Sequence, residues 1–195
     1  MKLGAFVLGY HGCDRQVGEA LIAGRSDFRA SQNDHDWLGQ GIYFWENNPE
    51  RALEWARFMA GHPKFKRRVK EPFAMGAVID LGNCLDLTEA TSLRLVKVAY
   101  SNLVSIFTKA DAKVPENRKG HDADSDLVQR FLDCAVINHL HRLRDEEGVE
   151  PFTTVRGAFT EGSELYPGAR IQAKTHIQLC VREPKAIRGI FRIRE

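Results

Sequence analysis

Cysteine is sparse and unpaired in this chain. Cys13, Cys84, Cys134 and Cys180 are scattered through 195 residues with no CxxC pair, a pattern that fits reduced thiols in a cytoplasmic protein. Neither charge is in excess: 28 Lys and Arg stand against 26 Asp and Glu, a net charge of +2. Such a balance neither demands nor excludes a nucleic-acid partner, so the placement of charge has to decide. No apolar run approaches the roughly 18 residues of a membrane span. The opening segment has one basic residue and a short apolar run but no small-residue cleavage site. It runs straight into Tyr10-His11-Gly12 and reads as a strand rather than a signal peptide. Internal repeats, low-complexity tracts and linkers are absent too. What is present is ordinary globular composition, 43% hydrophobic and 28% charged. The length suits one domain that buries about 70% of its unfolded surface, and collagen-like, coiled-coil and mostly disordered readings are excluded.

The order of elements is that of a single α+β domain. Ala5 to Tyr10 reads as a buried strand. Asp14 is placed to cap a short helix with Val17, Ala20 and Leu21 on one face, and Gly24 to close it. Gly39-Gln40-Gly41 leads into the strand Ile42-Tyr43-Phe44-Trp45, its glycines suited to close approach of backbone or ligand. Asn48-Pro49 opens a second helix with Ala52, Trp55, Ala56 and Met59 on one face, ending at Gly61. Ala77 to Gly82 reads as a strand and Thr88 to Thr108 as a helix. Ser125 is placed to cap a helix carrying Leu127, Phe131, Leu132, Ala135, Val136, Leu140 and Leu143. Phe152 to Phe159, Thr175 to Val181 and Ile187 to Ile193 are the remaining strands. The last alternates apolar residues with Arg188, Arg192 and Arg194, as a strand with one wet face should.

Several segments, taken in order, carry a resemblance. Tyr10-His11-Gly12, then Gly39-Gln40-Gly41-Ile42-Tyr43-Phe44, Gly76 to Asn83 ending Leu-Gly-Asn, Val155-Arg156-Gly157, and Thr175 to Val181 together resemble ADP-ribosyltransferases of the diphtheria-toxin and poly(ADP-ribose) polymerase clade. The resemblance covers most of the chain except a helical insertion of about 88–148. It implies an α+β fold in which two facing, mainly antiparallel sheets form an NAD+ cleft with flanking helices. It further implies that the Gly12 main chain holds the nicotinamide carboxamide, that His11 bonds a ribose hydroxyl, that Tyr43 stacks on the ring, and that Gly41 and Arg29 belong to the cofactor site. Offset stacking of that kind contributes about 0.5–1.5 kcal/mol. Breaking the nicotinamide–ribose bond passes through an oxocarbenium-like transition state, so the ribose must be held and competing water excluded.

One departure stands out. The polymerases carry a glutamate on the strand that matches Thr175 to Val181, and this segment has no carboxylate. Thr175, His176 and Gln178 are the candidates for that third role. In a regular strand His176 and Gln178 share one face and Thr175 takes the other, and a slip of one residue exchanges them. Glu161 and Glu164 lie in the preceding loop and offer a carboxylate from outside the strand. The departure favours transfer of a single ADP-ribose unit, to nucleic acid or protein, over chain elongation. Rival readings are a non-catalytic module that binds ADP-ribose, NAD+ or a partner chain, and an NAD+ glycohydrolase. The RNA 2′-phosphotransferase branch relies on Arg/His pairs that His11-Gly12 and Tyr43 do not resemble. A toxin of a toxin–antitoxin or phage-defence system, held by an inhibitor protein, is the context suggested by a small cytoplasmic transferase.

Other residues have plainer readings. Trp45 and Trp55 suit core packing, although the Trp55 helix matches one whose aromatic closes over nicotinamide in the polymerases, with Glu54 or Trp55 at that place. Lys64, Lys66, Arg67, Arg68 and Lys70 form a basic run that reads as a solvated loop or as a phosphate-tracking surface with Phe65 interleaved. Asp122, Asp124 and Asp126 have the alternate spacing of a calcium loop, but Leu127 stands where its glycine belongs, so helix capping is the reading. His139 and His141 fall on different sides of a helix. No metal is expected.

Overall fold

The computed structural model describes residues 5–63, 69–120 and 127–194. Seven strands form one mixed sheet: β1 (Phe6–Asp14), β2 (Ile42–Glu46), β3 (Pro72–Asp80), β4 (Cys84–Asp86), β5 (Thr154–Phe159), β6 (His176–Val181) and β7 (Ile187–Arg192), in the order β4-β5-β6-β2-β1-β3-β7. Only β4 and β5 run parallel. The helices are α1 (Arg15–Ile22), α2 (Pro49–Gly61), α3 (Ala90–Lys109) and α4 (Phe131–Glu146). The expectation of two facing sheets is therefore corrected to one continuous sheet. Its continuity is narrow, because β1 and β2 pair only through Gly9↔Glu46 and Tyr10↔Trp45, whereas β1 and β3 pair from Phe6↔Asp80 to Asp14↔Pro72.

Alternation along the strands sorts the core onto two faces. Cys13, Leu21, Phe73 and Met75 pack α1 onto one face, where Ile42, Phe44, Ile79, Leu179 and Val181 continue the layer. On the other, Trp45, Ala52 and Ala74 seat α2 beside Tyr10. Leu38, Leu85, Val155 and Cys180 pack against Ala99 and Leu103 of α3 and Val136, Ile137 and Leu140 of α4. The hairpin of α3 and α4 falls inside the segment anticipated as a helical insertion.

Helix starts follow their local chemistry where that chemistry is short-range. The Asp14 carboxylate accepts from Gln16 N at 3.0 Å and the Asn48 side chain from Arg51 N at 3.0 Å, with Pro49 in the first turn. Gly24, at φ 65°, closes α1. Two details differ from expectation. Val17 is exposed, and Gly18 packs into the core with Leu21 instead. Helix α4 begins at Phe131, and its first amides are met by the remote Asn117 side chain, 2.9 Å from Leu132 N. Leu127 is exposed outside the helix, and Ser125 and the three aspartates lie outside the described residues.

On the face opposite α3 and α4, Arg156 of β5 ties three strands together. It donates Nε and Nη2 to the Glu46 carboxylate at 2.6 and 3.0 Å, and Nη1 to Asp86 at 2.9 Å. This two-toothed contact crosses β6 to reach the end of β2.

Candidate functional site

The narrow β1/β2 junction is the centre of the candidate site. Along β1, odd-numbered residues direct their main-chain groups to β3, since Leu81 N donates to Ala5 O and Arg15 N to Glu71 O. Even-numbered residues face β2, as Asn47 N donating to Leu8 O shows. Continuing the register from Tyr10↔Trp45 would pair Gly12 with Tyr43. The ladder stops one step short of that pair. The Tyr43 carbonyl instead meets His11 Nδ1 at 2.8 Å, so a side chain occupies the place of a main-chain bond. The Gly12 N–H and C=O are left facing the parted seam.

His11 is set from behind. Its ring contacts Phe28 and Phe44 at centroid distances of 5.5 and 5.6 Å. A carbonyl only accepts, so Nδ1 carries the proton and Nε2 the lone pair. Burial holds the imidazole below its ordinary pKa, partly offset by the Tyr43 carbonyl, and keeps it neutral at pH 7. Gly12 has no room for a side chain: a Cβ there would lie 2.0 Å from the Ala52 carbonyl oxygen and 3.3 Å from the Trp55 ring. Trp55 is 37% exposed, so it borders the seam rather than filling the core. Trp45 does belong to the core.

The Tyr43 side chain leaves the sheet on the α3/α4 face, opposite the His11 ring. Its hydroxyl donates to Gly39 O at 2.7 Å and accepts from Leu38 N at 3.0 Å. Burial raises this phenol well above its ordinary pKa. Tyr43 thus pins the loop before β2, and its carbonyl is the group that meets His11. Gly41 packs against β6, where a Cβ would lie 2.4 Å from Cys180 Sγ. Arg29 is exposed in the loop after α1.

Strand β6 begins at His176, which leaves Thr175 exposed outside it. His176, Gln178 and Cys180 share the face of Tyr43 and Trp45, because Tyr43↔Cys180 and Trp45↔Gln178 are register partners. Gln178 Oε1 accepts from Trp37 Nε1 at 2.6 Å. His176 is 6% exposed, and its ring lies 6.3 Å from that of Trp45 and 5.5 Å from that of Phe159. Around it the buried atoms Trp45 Nε1, Arg51 Nε and His176 Nε2 lack hydrogen-bond partners. Glu161, at the base of the 161–174 hairpin, reaches Arg51 and Lys174 at 3.9 Å each. Glu164 turns away to the hairpin tip and accepts from Gly168 N. Arg51, in the first turn of α2, was not singled out in the sequence. Its only signal there is its place just after Asn48-Pro49.

Two clefts lie elsewhere, along α4. One of about 360 Å³ is lined by Gly41, Asn138, His141, Arg142 and Arg182. The other, about 250 Å³, shares Gln32, Gln40 and Asn138 with it. His141 is buried with both ring nitrogens unpartnered, and burial, with Arg182 and Arg144 nearby, pushes its pKa down to about 3. The unfolded chain takes up this proton below about pH 6.5 while the native state does not, so stability falls with pH by about 1.4 kcal/mol per unit across that window. His141→Phe is expected to melt higher than the native protein at pH 5 and to flatten its acid limb, as calorimetry from pH 7 to 4 would record. His139 instead bonds Asn102 at 2.8 Å. Among the described residues no cluster of three or more His, Cys, Asp or Glu is placed to hold a metal. No described helix is long and apolar enough to cross a membrane. Lys70 is exposed, and its amide donates to Asp14; Lys64, Lys66, Arg67 and Arg68 lie outside the described residues.

No family model matches the chain, and no solved structure matches it. It is similar to an uncharacterized protein of Methanocaldococcus jannaschii, 23% identical over 198 residues that span 93% of this chain and 84% of that protein.

Proposed function

We propose that the protein is an NAD+-dependent mono-ADP-ribosyltransferase working at the β1/β2 seam. The observation that carries the reading is the ladder that ends before Gly12 and Tyr43, where the register directs the glycine's main-chain groups toward a strand that no longer pairs with it. One N–H and one C=O on the same residue match a carboxamide, which presents an acceptor and donors of its own. Trp55 borders Gly12 with a partly exposed ring and supplies a stacking surface for nicotinamide. This transfers to Trp55 the role that Tyr43 had by resemblance, since the Tyr43 hydroxyl is committed to Leu38 and Gly39. His11 Nε2 offers a lone pair to a ribose hydroxyl. With no carboxylate on β6, transfer ends after one unit.

The test is incubation with labelled NAD+ and a cell lysate treated with either nuclease or protease. Nicotinamide release with label on macromolecules is expected, and the treatment that removes the label identifies the acceptor class. Loss on nuclease treatment would give the Lys64–Lys70 run its role. Trp55→Ala should weaken NAD+ binding by about fivefold, the loss of roughly 1 kcal/mol of stacking. Equal nicotinamide release with and without lysate would make the protein a glycohydrolase. NAD+ binding without release would make it a binding module. No thermal shift with NAD+ and no release would refute the reading.

A further inference from the structure

His176 is wired for proton transfer. Its Nδ1 lies 2.6 Å from the Lys174 carbonyl oxygen. That oxygen can only accept, so Nδ1 carries the hydrogen and the neutral ring presents Nε2 as a lone pair. The lone pair is buried and unpartnered, as are the Trp45 Nε1 and Arg51 Nε donors near it. An unmet polar atom inside a protein costs about 1–3 kcal/mol, and three from three different elements gather here on β2, α2 and β6. The cover is thin. Thr175, next in the chain, is exposed, and the ion pairs of Glu161 with Arg51 and Lys174 are long at 3.9 Å. The cluster stands on the face toward which Gly12 meets α2, joined to it through Trp55, whose ring is 5.9 Å from that of Trp45.

We infer that His176 Nε2 is the base that takes the proton from a neutral hydroxyl acceptor. The inference rests on the transferase reading above. The hydroxyl oxygen attacks C1′ of the nicotinamide ribose as the bond from C1′ to the ring nitrogen breaks. That electron pair leaves with nicotinamide, which becomes neutral, and the hydroxyl proton passes to Nε2 and then to solvent. A carboxylate acceptor has no proton to give and needs no base. A guanidinium acceptor would bring its charge against Arg51. The group on β6 thus does chemical work that the missing carboxylate does not, selecting acceptors that must be deprotonated. The charged groups around the ring are Arg51 on α2, Glu161 and Lys174 on the hairpin, and Arg130 across Phe159. Burial, with Arg51, holds the imidazole below its ordinary pKa against the opposing Lys174 carbonyl, so the lone pair persists into mildly acidic solution.

The experiment uses the full chain with NAD+ and two small acceptors, methanol for the hydroxyl class and agmatine for the guanidinium class. Methyl ADP-ribose should form and ADP-ribosyl-agmatine should not. His176→Asn keeps a side-chain N–H for the Lys174 carbonyl but has no atom at Nε2. It should lose transfer at least 100-fold while its NAD+-induced thermal shift stays within threefold in affinity, and the acid limb of the pH profile should vanish with it. His176→Gln provides a second variant if the first folds poorly. Nitrogen-15 spectra of the native imidazole should show Nδ1 protonated and Nε2 bare at pH 7. Agmatine modified as fast as methanol, an Asn variant within threefold of the native rate, an acid limb that survives in it, or an Nε2–H tautomer would each overturn the proposal. A native protein that neither binds nor cleaves NAD+ overturns the transferase reading and this role with it. One that does both, with His176→Asn equally active, overturns the role of His176 alone.

Discussion

Replacing Arg156 with methionine is expected to lower the melting temperature by roughly 10 °C. The side chains of Arg156, Glu46 and Asp86 retain only 18%, 9% and 19% of their exposure. Removing one member of such a buried set leaves the others as unpaired charges, at a cost of about 3 kcal/mol or more. A domain of this size loses roughly 2–4 °C per kcal/mol. The pH dependence gives an independent check. Burial works to raise the Asp86 carboxyl, but Thr88 and the Arg156 guanidinium hold it below the usual carboxylate range. A depressed carboxylate contributes stability above its unfolded value of about 3.9 and loses it as the pH falls through the folded one. Arg156→Met should therefore show a weaker loss of stability below about pH 4 than the native chain. Scanning calorimetry at pH 7 and pH 3 measures both effects. An unchanged melting temperature at pH 7 would mean that the three strands are held by their ladders alone.

Gly12→Ala is the second change with a large expected effect, and it acts on stability and ligand together. The new methyl would sit 2.0 Å from the Ala52 carbonyl oxygen and 3.0 Å from its carbon. Both are backbone atoms inside a helix, so no side-chain rotation relieves the contact. Helix α2 must move off the sheet, at a cost of roughly 2–3 kcal/mol for overpacking. The same movement carries Trp55 away from the seam, so under the proposed function a thermal shift with NAD+ is expected in the native chain and none in this variant. Gly61→Ala is the control. A Cβ there meets nothing within 4 Å, and the chain should be unaffected or stabilised by up to about 1 kcal/mol. Unfolding curves with and without NAD+ would separate the two variants. Retention of the NAD+ shift in Gly12→Ala would remove the seam from consideration as the binding site.

Much of the local structure was legible because its causes are local. Asp14 and Asn48-Pro49 cap the helices that follow them within three residues, and Gly24 closes the first. Strand β7 falls on a run that alternates apolar residues with arginines, and β2 on a short aromatic and β-branched run, whereas β3 starts at Pro72, five residues before the run Ala77 to Gly82 that reads as a strand. The start of α4 at Phe131 differs from the expected cap at Ser125 for the opposite reason. Its capping side chain is Asn117, in the loop before it and well outside the helical pattern. Val17 looked like a core residue because helical spacing identifies a stripe without saying where the stripe meets the sheet. Trp55 was read as core because an aromatic on an apolar face normally packs inward, and here the helix is seated so that the ring stands at the seam edge. The unpartnered Nε of Arg51 and the Nε2 lone pair of His176 have no signature in the chain, since both depend on which carbonyls and rings stand beside them.

The sequence by itself determined the residue types available for chemistry, the order of most elements, and the lack of a carboxylate on β6. These are properties of neighbours along the chain: caps, turns, alternation and helical spacing act over a few residues. Tertiary structure decided the rest. It joined the strands into one sheet instead of two, because two residue pairs between β1 and β2 are enough for continuity. It put His11 and Tyr43 on opposite faces and linked them through a carbonyl. It engaged Gln178 with Trp37 and left His176 with a bare nitrogen, since pairing across the sheet, between residues more than 100 positions apart, sets which polar atoms find partners and which do not.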